Sequence, residues 1–199
     1  MFKPDEAVWE RFLAATRGQP AWGRLMKAAS MFPVPGEALD VGAGAGRDTA
    51  YLLGRGWHVT AVDATAAATK HLRSLGDEHR LSVVHCAAED FEPATYDLVN
   101  AQFSLPFIAP GKFPDTVARL QAAVRSGGIM AATFFGTGDE WNVAGSEINF
   151  TTKAEVAAMF RDWQILDFEE IEEDGSTATG GAKHWDVIHV IAKKPASGS

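Results

Sequence analysis

The 199-residue chain has a single cysteine, Cys86. One thiol excludes an internal disulfide and fits a reducing cytosol. No Cys/His cluster stands at metal-ligand spacing, so no metal is expected. No apolar run approaches the roughly 18 residues needed to span a bilayer. The N-terminus lacks the basic-then-apolar pattern of a signal peptide. These absences predict a cytoplasmic protein with no membrane partner. Positive charge is also short: 18 Lys and Arg against 26 Asp and Glu leave a net charge of −8. That argues against a large phosphate-neutralising surface, so no nucleic-acid partner is expected. No repeat or low-complexity linker divides the chain. Its length fits one domain with a real core, residues 1–194, and 195–199 read as a disordered tail.

The most informative stretch that is present is Leu39-Asp40-Val41-Gly42-Ala43-Gly44-Ala45-Gly46. An apolar run meets three alternating glycines, and a helix-like stretch begins near Arg47. That is a strand, a tight turn and a helix start. Glycine permits backbone angles closed to other residues and lets a ligand touch the main chain. The free N–H groups of a helix start favour anionic or polar ligand groups. A second apolar run, Trp57–Val62, ends in Asp63, an acid placed to accept hydrogen bonds from both hydroxyls of a ribose. The pattern predicts an adenosine-containing ligand.

Strand and helix signals alternate from Leu39 to Phe135. Helices are predicted from Pro4, over Ala21–Met31, after the glycine loop to Gly56, over Thr65–Leu75, and along the stripe Phe113, Val117, Leu120 and Val124. Strands are predicted at Leu81–His85, Tyr96–Ala101 and Ile129–Phe135. Thr152 and Glu155 form a capping box that opens a helix through Phe160. Gln164–Ile171 and Trp185–Ala192 read as an antiparallel hairpin joined by the polar turn Glu172–Ser176. The expected fold is α/β: a doubly wound, mostly parallel, seven-stranded Rossmann-like sheet with helices on both faces and an antiparallel C-terminal strand.

The spacing Asp-x-Gly-x-Gly-x-Gly departs from the dinucleotide fingerprint, whose third glycine comes one residue later. It resembles motif I of class I S-adenosylmethionine-dependent methyltransferases. Gly46-Arg47-Asp48 and the C-terminal series Phe135-Gly136, Asp139-Glu140-Trp141, Phe150-Thr151 and Lys183-His184-Trp185 resemble small bacterial methyltransferases of the tellurite-resistance type. The resemblance implies S-adenosylmethionine as cofactor and S-adenosylhomocysteine as product. It implies that Gly42, Gly44 and Gly46 lie against the methionine half, that Asp40 helps hold its amino group, and that Asp63 takes the ribose. Arg47 is a candidate to hold a carboxylate, against a solvated arginine in the first helical turn. The loop Ala87–Phe91 would hold the adenine, through Ala88 and through Glu89, Asp90 or the backbone, since Ala87 stands where the family's acid is usual. The loop from Asn100 and Ala101 would face cofactor and substrate. It lacks the Asn-Pro-Pro-Tyr motif of DNA amine methyltransferases.

On the substrate side, Trp9, Phe103, Phe107, Phe135, Trp141 and Trp185 are candidates for an aromatic pocket. Residues 1–36 would form part of its cover and 136–151 a mobile lid. His184 is the candidate base for a hydroxyl, amine or thiol acceptor, against a purely structural histidine at a strand start. Methyl transfer from a sulfonium often needs no base, because alignment supplies much of the rate. The expected function is methyl transfer to a small-molecule nucleophile. Its rivals are a non-catalytic cofactor-binding protein and a nicotinamide-dependent oxidoreductase. The oligomeric state is not legible.

Overall fold

The computed structural model describes residues 6–76 and 79–196. Two helices, α1 (Glu6–Thr16) and α2 (Gly23–Ser30), precede the sheet. Then follow β1 (Glu37–Val41), α3 (Arg47–Gly54), β2 (His58–Asp63), α4 (Ala66–Arg73), β3 (Leu81–His85), β4 (Tyr96–Ala101), α5 (Phe113–Ala123) and β5 (Val124–Phe135). The chain ends with α6 (Lys153–Met159), β6 (Gln164–Ser176) and β7 (Ala182–Lys193). Pro4 and Ser197–Ser199 lie outside the described residues.

The seven strands lie in the order β3-β2-β1-β4-β5-β7-β6. β7 runs antiparallel to both its neighbours, and the other pairings are parallel. The strand order reverses between β1 and β4, which places a ligand crevice beyond their carboxyl ends. One face of the sheet packs Val99, Ala101, Met130, Ala132 and Phe134 against α5 and α6. The other packs Ala38, Leu98, Ile129, Ala131 and Ile191 against α2 and α3. The predicted capping box is present: Glu155 N–H donates to Thr152 Oγ1 at 3.2 Å, and Thr152 N–H to Glu155 Oε2 at 2.7 Å.

Two boundaries differ from expectation. Val124 does not end α5. It opens β5, opposite Tyr96, while its side chain stays in the same core as the helix stripe. The polar turn expected at Glu172–Ser176 is strand: Glu172, Glu173, Asp174 and Gly175 pair with Asp186, Trp185, His184 and Lys183. The turn itself is Thr177–Gly181, closed by Thr177 N–H to Gly181 O at 2.7 Å, with Gly180 at φ +91°. A ribbon that outruns its sheet meets water on one side, so its strands carry polar residues that read as a turn.

Candidate functional site

The carboxyl ends of β1, β2 and β4 meet at the glycine loop. Gly42, Gly44 and Gly46 have φ of +67°, +53° and +73°, so all three need the left-handed region. The loop hangs from β2 through Gly42 N–H and Ala43 N–H, both donating to Val62 O. A Cβ on Gly42 would lie 2.4 Å from Ser104 Cβ, and one on Gly46 2.8 Å from Leu75 Cδ1. Over Gly44 there is ordinary clearance towards Leu13 of α1. Leu13 also packs on Ala45 and Ala68, so α1 lies over the loop.

Asp63 closes β2 and holds this loop. Its Oδ2 accepts from Gly44 N–H at 2.9 Å, and its Oδ1 from Thr65 N–H and Thr65 Oγ1, each at 2.8 Å. A carboxylate has about four acceptor positions. Three are therefore spent on the turn that positions it.

Behind the loop lies a buried acid pair. Asp40 is 2% exposed and Asp48, in the first turn of α3, is 4% exposed. Asn100 Nδ2 donates to both, to Asp40 Oδ1 at 2.9 Å and to Asp48 Oδ2 at 2.8 Å. Thr49 Oγ1 donates to Asp40 Oδ2 at 2.6 Å, and Trp22 N–H to Asp48 Oδ1 at 2.9 Å. Burial, then the charge of Asp48, pushes the Asp40 carboxyl up to about 7. Burial likewise raises Asp48. Arg47 lies with its guanidinium 4.1 Å from the centre of the Trp22 ring, its Nε is buried without a partner, and burial lowers its pKa.

The adenine-side candidates are partly engaged elsewhere. Ala88–Asp90 form one turn of 3-10 helix. Glu89 Oε1 accepts from Ala109 N–H at 3.3 Å, and Asp90 pairs with Lys112 at 2.7 Å in solvent. Ala101 is fully buried on the α5 side, so only its backbone faces the crevice.

The aromatic candidates do come together. Phe135 packs with Phe103, Phe107, Trp141 and Trp185. Trp9 reaches Phe107 from α1 at 5.0 Å between ring centres. Phe103 has φ +53°, the one left-handed non-glycine among the described residues. Such a conformation carries strain that surrounding structure must hold. It turns the chain just past the end of β4. The Phe103 ring centre lies 4.5 Å from that of Trp22, tilted, and 6.0 Å from that of His189, edge-to-face. Beneath it, Thr133 Oγ1 donates to Gln102 Oε1 at 3.0 Å and contacts His189 Nδ1 at 3.0 Å. Thr133 has one hydroxyl proton, so His189 Nδ1 donates to it. Burial lowers the His189 pKa to about 4, which keeps the ring neutral. Gln102 Nε2 is left buried without an acceptor.

His184 stands apart from this floor. Its Nδ1 lies 2.7 Å from Asp174 Oδ1 and its Nε2 3.2 Å from Glu172 Oε1, both across the ribbon. The two carboxylates raise its pKa. Both ring nitrogens are thereby engaged by carboxylates, away from the aromatic floor. Residues 136–151, expected as a lid, are tied down. Asp139 is 3% exposed and pairs with Lys183, whose Nζ lies 3.5 Å from the centre of the Trp185 ring. Gly138 N–H donates to Asp186 Oδ2 at 2.8 Å, Glu140 N–H to His184 O at 3.1 Å, and Asn149 N–H to Pro106 O at 2.8 Å. A Cβ on Gly136 would fall 2.1 Å from the Asp186 carboxylate, so that glycine serves packing.

A sequence profile described as "Tellurite resistance protein TehB" matches residues 16–183. The chain belongs to the TehB family. A curated relative, "Hemagglutinin 1" of Eikenella corrodens, is 28% identical over 169 residues. The match takes in 81% of this chain and 55% of that protein, so the chain spans about half the length of the curated relative it matches. TehB from Haemophilus influenzae superposes with a TM-score of 0.76 at 18% identity, over 87% of this chain and 62% of that one. The 1,6-didemethyltoxoflavin-N1-methyltransferase of Burkholderia thailandensis, solved with its substrate and S-adenosylhomocysteine, gives 0.62 at 21% identity, over 98% and 93%. The N-methyltransferase NodS of Bradyrhizobium japonicum, solved with S-adenosylhomocysteine, gives 0.70 at 14% identity, over 95% and 97%. The TehB-family fold is that of the class I methyltransferases, as the motif I resemblance implies.

Sequence reasoning missed Asp48 as half of a buried acid pair, Trp22 as its main-chain donor, and Gln102, Thr133 and His189 as one chain of hydrogen bonds. Asp48 carried a signal, since it follows the glycine loop at a helix start. The others had none, because their partners lie on elements distant in the chain.

Proposed function

We propose that this TehB-family chain is an S-adenosylmethionine-dependent methyltransferase acting on a small-molecule nucleophile. The observation that carries the reading is the glycine loop clamped to Asp63 with the Asp40–Asn100–Asp48 group buried behind it. The residues fit the cofactor. A buried surplus of negative charge suits its ammonium, and Asn100 Oδ1 is a buried acceptor with no donor. Arg47, with a buried unpartnered Nε, suits its carboxylate. Asp63 retains one acceptor position, on the Oδ2 side, for a ribose hydroxyl. When bound, the cofactor supplies a methyl group on a positive sulfur, which leaves as S-adenosylhomocysteine.

The chain's own residues then hold the acceptor and exclude water. Trp9, Phe103, Phe107, Phe135, Trp141 and Trp185 wall the acceptor pocket, with Trp22 between Phe103 and Arg47. Gln102 Nε2 offers the acceptor one fixed donor. Alignment, rather than a base, carries the reaction, in keeping with the engagement of both His184 ring nitrogens by Asp174 and Glu172. The net charge of −8 favours a small molecule over nucleic acid. No described helix is long and apolar enough to cross a membrane, and with the free Cys86 this supports a cytoplasmic setting.

The test is S-adenosylhomocysteine formation from S-adenosylmethionine with a panel of thiols, amines and phenols, and with tellurite. Turnover with at least one acceptor is expected. Tight cofactor binding with no turnover on any of them would favour a non-catalytic binding protein. Saturable NADH binding in place of S-adenosylhomocysteine would favour an oxidoreductase.

A further inference from the structure

Asp40 and Asp48 form an unusual arrangement of charge. Both carboxylates are buried, and each of their four oxygens accepts a single hydrogen bond. One amide serves both acids. The groups that face them are Thr49 and Arg47 from α3, Trp22 N–H from the start of α2, Asn100 from β4 and Asp63 from the end of β2. Three of these are neutral, and Asp63 adds negative charge. The one cation, Arg47, turns its guanidinium onto Trp22 and makes no ion pair with either acid among the described residues. Two buried like charges this close disfavour double ionisation. A second, independent sign is Asn100 Oδ1. Asn100 is fully buried, and this acceptor has no donor. The site lacks one positive, hydrogen-bond-donating group.

We propose that the Asp40–Asn100–Asp48 group carries one proton in the ligand-free protein and releases it when the ammonium of the cofactor's methionine half arrives. Asp48 is thereby a positioning residue for cofactor binding, acting with Asp40 through their shared amide. The inference rests on the reading of the chain as an S-adenosylmethionine-binding enzyme. The exchange balances: an O–H bond of one carboxyl breaks, its proton goes to the buffer, and the ammonium keeps its own protons. One positive charge replaces another. Binding costs a proton at low pH and none once the pair is ionised, so affinity rises with pH.

The experiment uses calorimetric titration of the full chain with S-adenosylhomocysteine between pH 6 and 8, in buffers of different ionisation enthalpy. Adenosine, which lacks the ammonium, is the companion ligand. The dissociation constant for S-adenosylhomocysteine should fall towards about tenfold per pH unit below the titration of the pair and level off above it. The buffer dependence should report up to about one proton released per ligand. Adenosine affinity should stay flat. Asp48→Asn, which leaves one acid, should flatten the S-adenosylhomocysteine profile. The wild-type measurement stands even if that variant does not fold. A flat wild-type profile with no proton released overturns the proposal. So does an adenosine profile as steep as that of S-adenosylhomocysteine, which would trace the proton to the adenosine half. If S-adenosylhomocysteine does not bind at any pH, the cofactor reading itself falls, and the proton exchange with it.

Discussion

Replacing Asp63 by alanine should damage the protein in two separable ways. The carboxylate holds the glycine loop through Gly44 N–H and caps the turn into α4 through both donors of Thr65. Hydrogen bonds to a charged acceptor contribute about 1.5–3 kcal/mol when buried. Asp63 is part-exposed, so about 1 kcal/mol each is the fairer figure, roughly 2–4 kcal/mol in all. In a chain of this size that is a melting-point fall of roughly 5–15 °C. The second loss is the ribose. Removing the charged acceptor of a ribose hydroxyl should weaken S-adenosylmethionine binding by about ten- to a hundredfold. Thermal unfolding without ligand reads the first effect. Calorimetry with S-adenosylhomocysteine, at a temperature where the variant is folded by circular dichroism, reads the second. An unchanged melting point would refute the loop-clamping role. An unchanged affinity in the folded variant would refute the ribose assignment. Each result stands without the other.

Other outcomes follow from the same geometry. Gly42→Ala should destabilise the protein more than Gly44→Ala, because its Cβ would strike Ser104 while that of Gly44 has room; Gly44→Val should keep the sheet and abolish cofactor binding, read by paired melts and titrations. Asp40 titrates at about 7 in the fold against an ordinary 3.8, so the folded protein keeps a proton that the unfolded chain gives up between those values. Stability from this group is intact below pH 4 and lost as pH rises through 7, by at most about 4 kcal/mol, so ligand-free melting points should fall from pH 5 to 8 and Asp40→Asn should flatten the slope. Hydrogen exchange should find the N–H groups of Gly138, Glu140, Asn149 and Thr151 already protected in the free protein, with Ala144 and Gly145 exchanging fast; fast exchange throughout would restore the mobile lid. Gln102→Glu, which keeps the bond from Thr133 and loses the free donor, should raise KM for the methyl acceptor several-fold with little change in cofactor affinity, and an unchanged KM would remove Gln102 from the pocket.

The fold was legible because its signals are local. Alternating strand and helix periods, glycines at turn positions and the Thr152–Glu155 box each act within a few residues. The placing of Asp40, the three glycines and Asp63 was legible for the same reason: they sit at strand ends and a turn that the pattern marks. What failed was whatever depends on pairing between distant segments. His184 looked like a base because Glu172 and Asp174, its cross-strand partners, lie ten and more residues away. The ribbon was read as a turn because polarity alone cannot separate a solvated strand from a loop. The 136–151 segment looked free because its anchors, Asp186, Lys183 and Pro106, belong to other parts of the chain.

Trp22 touches Asp48 with its main-chain N–H, not with its ring. As far as the acid pair is concerned, residue 22 can therefore be almost anything. Proline alone is excluded, since it would fit the φ of −63° found there yet bring no hydrogen to donate. The ring is committed elsewhere, to Phe103 and to the Arg47 guanidinium, so a Trp22→Phe change should leave the hydrogen bond to Asp48 in place. This part of the acid pair's surroundings is set by the path of the backbone and not by the identity of a side chain.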